Sequence, residues 1–135
     1  MRKLIKFNTA ANVSLILYGI FIGFHLLVIM GFIPMDIIWG GRINSRSELI
    51  KFELVSLLIL ILCTFITLLK VKYINISKLY KFANIGIWFL VAIFLLNTIG
   101  NLFAISLFEK VAFTPITALL AFFSLRLALE EENKE

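Results

Sequence analysis

Histidine and cysteine occur once each in this 135-residue chain, at His25 and Cys63, and proline occurs only twice. A lone cysteine closes no intrachain disulfide, and with a single histidine it excludes a cysteine or mixed His/Cys zinc site. No cofactor and no metal are expected. Acid is missing from the first 35 residues and again between Glu53 and Glu109. There is no internal repeat, and no polar stretch long enough to form a separate soluble module, so the length reads as one domain.

What fills the chain is apolar: 61% hydrophobic residues, 14 of them phenylalanine, with a mean hydropathy of +1.04. One small water-soluble core cannot hide so much apolar surface. The composition implies an integral membrane protein. The formal net charge is +5, but the basic residues stand at the ends of apolar runs. That placement fits lipid head groups and topology, and nucleic acid is not expected as a partner.

Four segments are long enough to cross a hydrocarbon layer about 30 Å thick, which needs roughly 20 helical residues. They run from about 8 to 33, 46 to 69, 81 to 101 and 107 to 129, and predict an all-α membrane four-helix bundle. The first follows MRKLIK and superficially resembles a signal peptide. At 21 residues, Val13 to Ile33 exceeds a signal core, and Pro34-Met35-Asp36 follows in place of a small-residue cleavage site, so it reads as a retained span. From Phe82 to Phe108 there are 27 residues without a formal charge, about 40 Å as one helix. A break at Gly100-Asn101 and an interfacial link at 102–105 relieve that excess. Ser45-Arg46-Ser47-Glu48 and Ser106-Leu107-Phe108-Glu109 both match the capping box that opens a helix. Pro115 removes a hydrogen bond to the carbonyl of Val111 and predicts a kink.

Basic residues at 2–6 and 70–81, free of acid, place both termini in the cytoplasm by the positive-inside rule. The loop containing Trp39-Gly40-Gly41-Arg42 is then outside, and the acidic tail 130–135 inside. On this topology the outer half carries His25, Asp36, Trp39, Arg42, Glu53, Asn97, Asn101, Glu109 and Thr114. Ionisable groups at membrane depth are costly and face the bundle interior, so these nine are the candidate ligand-binding residues of an outward-facing polar pocket. Along the second helix, Glu53, Ser56, Leu60, Cys63 with Thr64, and Thr67 follow three-and-four spacing and predict its inward stripe. Glu53 is expected at the pocket floor with His25 and Asn97, bonded to His25, paired with Arg42, or protonated. Gly40-Gly41 is expected to form a tight reversal that returns Arg42 over the bundle mouth.

Purely structural readings stand beside these. His25, Asn97 and Asn101 also serve as interhelical hydrogen-bonders, and Gly19-x-x-x-Gly23 as a close helix contact. Trp39 suits an interfacial anchor, and Arg126 suits snorkelling to the inner head groups.

"IPMDIIWGGRI", "NTIGN" and "TPITALL" together resemble small, uncharacterised bacterial four-helix membrane proteins. The resemblance implies the fold and a bacterial inner-membrane location, and carries no activity. Small multidrug transporters share the length and helix count, but their pattern needs an acid inside the first helix, where this chain has only His25.

Three functions are open at this level. One is binding of an amphiphile or small polar ligand, the second an accessory subunit stabilising a membrane complex, and the third a membrane enzyme using Glu53 and His25 as acid and base. Partners to consider are membrane lipid, a membrane-protein partner or a second copy of the chain.

Overall fold

Uniformly apolar helices do not single out an inner face by hydrophobicity, and the buried faces here combine large apolar residues with a few small and polar ones. The computed structural model describes residues 5–39 and 42–130. The Gly40-Gly41 reversal, Arg2, Lys3 and the tail beyond Glu130 lie outside the described residues. Among those described the protein is all-helical: α1 (Phe7–Met30), α2 (Arg46–Lys70), α3 (Tyr80–Leu102) and α4 (Thr114–Ala128), with a π-helical turn, Glu109–Phe113, leading into α4. Four helical stretches are long and apolar enough to cross a membrane. The protein is thus a multi-pass membrane protein with four spans. Each helix packs against its neighbours in sequence, and α1 closes the ring against α4.

The helix ends have local causes. α1 stops at Met30, short of the expected Ile33, because Gly31 takes a left-handed conformation (φ 85°). The amides of Gly31 and Phe32 return to the carbonyls of Val28 and Leu27, a Schellman ending that glycine permits without a Cβ penalty. Arg46 supports the same end, its guanidinium donating to the carbonyl of Ile29 at 2.7 Å, where cationic charge suits the negative pole of the helix. α2 opens on Ser45, whose hydroxyl accepts the amide of Glu48 at 3.2 Å, as the capping motif requires.

The break between the last two helices falls later than the sequence suggests. Gly100 and Asn101 remain helical, and α3 ends at Leu102. Gly100 keeps a negative φ, so it offers freedom the chain does not use. Ser106 then accepts the amide of Glu109 at 3.4 Å and donates to the carbonyl of Ile37 at 2.7 Å, which ties the third connection to the first. Pro115 sits two residues past the π-helical turn. A proline that cannot donate is accommodated by widening the preceding turn.

Two cores result. The larger is built around Tyr18, Leu60, Ile87, Leu90, Leu120 and Leu127, with Tyr18 stacked on Phe94 at 5.8 Å. The smaller comprises Val28, Ile38, Ile43 and Leu49, with Phe24 and Trp39 packed against it. It makes the first loop a folded cap rather than a slack connection. α2 and α3 pack tightly at Gly86, where an added Cβ would lie 3.0 Å from the Ile66 side chain.

Two expectations are corrected at this level. Gly19 and Gly23 meet nothing within 4 Å of an added Cβ and lie on an exposed face, so they make no helix contact within the chain. Arg126 does not snorkel. It is 4% exposed, donates to the carbonyl of Ile5 at 2.9 Å and pairs with Glu130 at 2.8 Å. Partners on both sides make burial of the guanidinium tolerable, and they fasten the start of α1 to the end of α4. Lys70 completes that end of the bundle, donating to Asn84 at 2.7 Å and to the carbonyl of Glu130 at 3.0 Å.

Candidate functional site

Glu53 lies two turns into α2, on the stripe formed with Leu60, Cys63 and Thr67, all buried. It is 1% exposed. A carboxylate at that depth is tolerable only with partners, and it has two. Oε2 lies 2.5 Å from Nδ1 of His25 on α1, and Oε1 accepts the indole N–H of Trp39 at 2.6 Å.

Of the alternatives the sequence left open for Glu53, the structure has the His25 contact and not the Arg42 pairing, and the Trp39 bond comes in addition. Trp39 has φ 54°, a conformation bulky residues rarely adopt, costing about 1–3 kcal/mol. It turns the indole inward, where the ring packs on Phe52 at 4.9 Å between centroids. Trp39 is therefore not simply an interfacial anchor. Arg42 is exposed, and its side chain takes no ion pair or hydrogen bond among the described residues. Asp36, on a short 3₁₀ turn (Met35–Ile37), is exposed as well. Neither lines the site.

Beside Glu53 is a cavity of about 400 Å³, within the range of small-molecule pockets. His25, Trp39, Glu53, Asn97, Asn101 and Glu109 all line it, so six of the nine candidates converge; Thr114, like Asp36 and Arg42, does not. Asn97 is on the exposed rim rather than at a buried floor. Asn101 donates to the hydroxyl of Thr117 at 3.4 Å. That hydroxyl lies 3.0 Å from Thr98 and donates back to the carbonyl of Phe113 at 2.9 Å. Thr117 thus joins α3 to α4 below the π-helical turn. Glu109 is 6% exposed and lines the cavity from the first residue of that turn.

Six of the nineteen lining residues are phenylalanine or tryptophan, which polar patterning did not reveal. Phe113 is the hub, meeting Phe21 at 5.7 Å, Phe24 at 5.2 Å and Phe108 at 5.5 Å, each edge to face. Phe21 and Phe24 share one face of α1 at i, i+3, a signal present in the sequence but hidden among 14 phenylalanines. The roof is Ile38 and Trp39. Among the lining residues, the exposed ones are Phe52, Val55, Ile59 and Asn97, all on α2 and α3. The cavity therefore opens sideways between these two helices.

Among the described residues no group of three or more His, Cys, Asp or Glu converges as metal ligands. His25 and Glu53 form a two-member hydrogen-bonded pair. No family model matches the chain, and no curated protein or solved structure is significantly similar to it. Of the likeness drawn from the sequence, the four apolar helices support a membrane four-helix architecture and no more.

Proposed function

We propose that this four-span membrane protein binds a small amphiphile in the cavity beneath its first loop. The observation that carries the reading is the sideways mouth. Its rim residues Phe52, Val55 and Ile59 belong to the span Arg46–Lys70, so a ligand entering there comes from the acyl-chain region. Three of the four exposed rim residues are apolar, Asn97 being the fourth, which favours an amphiphile over a small polar solute, and the His25–Glu53–Trp39 cluster offers polar groups for one end of it. In this reading both termini lie in the cytoplasm, on the ground of the acid-free basic residues at 2–6 and 70–81, and the mouth opens to the outer leaflet.

Ser56, half-buried on the cavity wall, gives the test. Protein taken from native membranes into lipid nanodiscs should retain an amphiphile detectable by mass spectrometry, and Ser56→Phe should displace it. If wild-type and Ser56→Phe protein retain the same lipids in the same amounts, the reading is wrong.

A second reading, a membrane enzyme, draws support from the 2.5 Å contact between His25 and Glu53, since a carboxylate that orients an imidazole prepares it as a base. It differs in requiring chemical turnover of the retained amphiphile.

A further inference from the structure

The polar side chains of the cavity divide into those the protein already holds and those it does not. Glu53 gives one oxygen to His25 and the other to Trp39. Glu109 has an interaction of its own, and Asn101 bonds to Thr117. No lysine or arginine is among the described lining residues. A charged head of either sign therefore meets no free counter-charge there, and an unpaired charge in an apolar site is costly.

Three lining groups are left without a bond among the described residues. The first is Nε2 of His25, whose ring is held through Nδ1 and whose side chain is 18% exposed. The second is the Ser56 hydroxyl on the half-buried wall, and the third the Asn97 amide on the rim. Ser56 is the informative one. A hydroxyl on a membrane helix can donate to the carbonyl one turn back, and Thr64, Thr98 and Thr117 do so at 2.8, 2.7 and 2.9 Å. Ser56 makes no such bond, so its hydroxyl stays available to the cavity.

These groups share one property. With a single ring proton, on Nδ1, the Nε2 atom of His25 accepts a hydrogen bond; with two it donates one. Serine and asparagine side chains both donate and accept. A ligand hydroxyl does the same, so it satisfies Nε2 in either state, and it needs no counter-charge. The lining reaches from Phe52 to Cys63 along α2, about 16 Å of helix, which accommodates one extended chain.

We infer that the cavity selects neutral amphiphiles with a hydroxyl head, long-chain alcohols and acylglycerols, whose hydroxyl bonds to Nε2 of His25 and to Ser56 while the tail points out between α2 and α3. This rests on the amphiphile reading above and narrows it to one chemical class of head.

The test compares tritiated probes of one chain length: dodecanol, dodecyl methyl ether, laurate and dodecyltrimethylammonium. Protein is held in phosphatidylcholine nanodiscs, and the uptake of empty nanodiscs is subtracted so that partitioning does not enter. Dodecanol should bind about tenfold more tightly than its methyl ether, the size expected when a buried group loses its hydrogen-bond partner, and more tightly than either charged probe. Ser56→Ala should weaken dodecanol severalfold and leave the ether unchanged. The wild-type comparison does not depend on how any variant folds. If the ether or a charged probe binds as tightly as dodecanol, and Ser56→Phe abolishes that binding, the hydroxyl inference falls while the amphiphile reading stands. If no probe binds saturably, both fall.

Discussion

Trp39→Phe isolates the bond that closes the site. The substitution keeps an aromatic ring for Phe52, 4.9 Å away, and deletes only the indole N–H that reaches Glu53 at 2.6 Å. Hydrogen bonds between membrane helices average about 0.6 kcal/mol, because a loosened chain in lipid finds other partners. Here the acceptor is a carboxylate 1% exposed, and a bond to a buried charged group is worth about 1.5–3 kcal/mol. Relief of the positive φ does not accompany the change, since phenylalanine is strained there as tryptophan is. The expected loss is therefore about 2 kcal/mol, measured by reversible unfolding in mixed micelles followed by circular dichroism. Glu53→Gln retains the shape and an acceptor oxygen, and pairing it with Trp39→Phe in a double-mutant cycle should give a coupling of at least about 1 kcal/mol. A Trp39→Phe protein within about 0.5 kcal/mol of wild type, together with zero coupling, would show that the loop does not hold Glu53 and would refute the reasoning.

Gly86→Ala should destabilise the bundle by about 1–3 kcal/mol through overpacking, since the new methyl meets Ile66 at 3.0 Å, whereas Gly23→Ala, with nothing within 4 Å, should change stability by less than about 0.5 kcal/mol; equal effects in the same unfolding assay would contradict the α2–α3 packing. With Cys63 replaced by serine, a cysteine at exposed Asn44 should react with an impermeant thiol reagent in intact cells, and labelling only after lysis would invert the proposed topology.

Much of this architecture was legible in one dimension. Apolar runs of the right length predicted four spans, since backbone groups in lipid must bond within their own segment. The stripe of Glu53, Leu60, Cys63 and Thr67 revealed the inward face of α2, and depth counting brought Glu53 level with His25. Local chemistry also marked the start of α2 at Ser45. Less legible were the exact ends, because Gly31 and Gly100 look alike in sequence and only one adopts a left-handed conformation.

The tertiary structure alone decided who partners whom. Arg42 and Trp39 are both plausible neighbours of Glu53 by position, and the loop's path put the indole on the carboxylate and left the guanidinium exposed. Arg126 could have reached the inner head groups, and the closing of α1 on α4 supplied Ile5 and Glu130 in their place. Gly19 and Gly23 had the spacing of a helix contact, and ring order left them facing outward. Hydrophobicity determines that a segment enters lipid, but lipid does not discriminate among its apolar faces. In such a chain the partner of each buried charge and the direction in which a cavity opens are set by packing between helices, which sequence spacing within one helix does not contain.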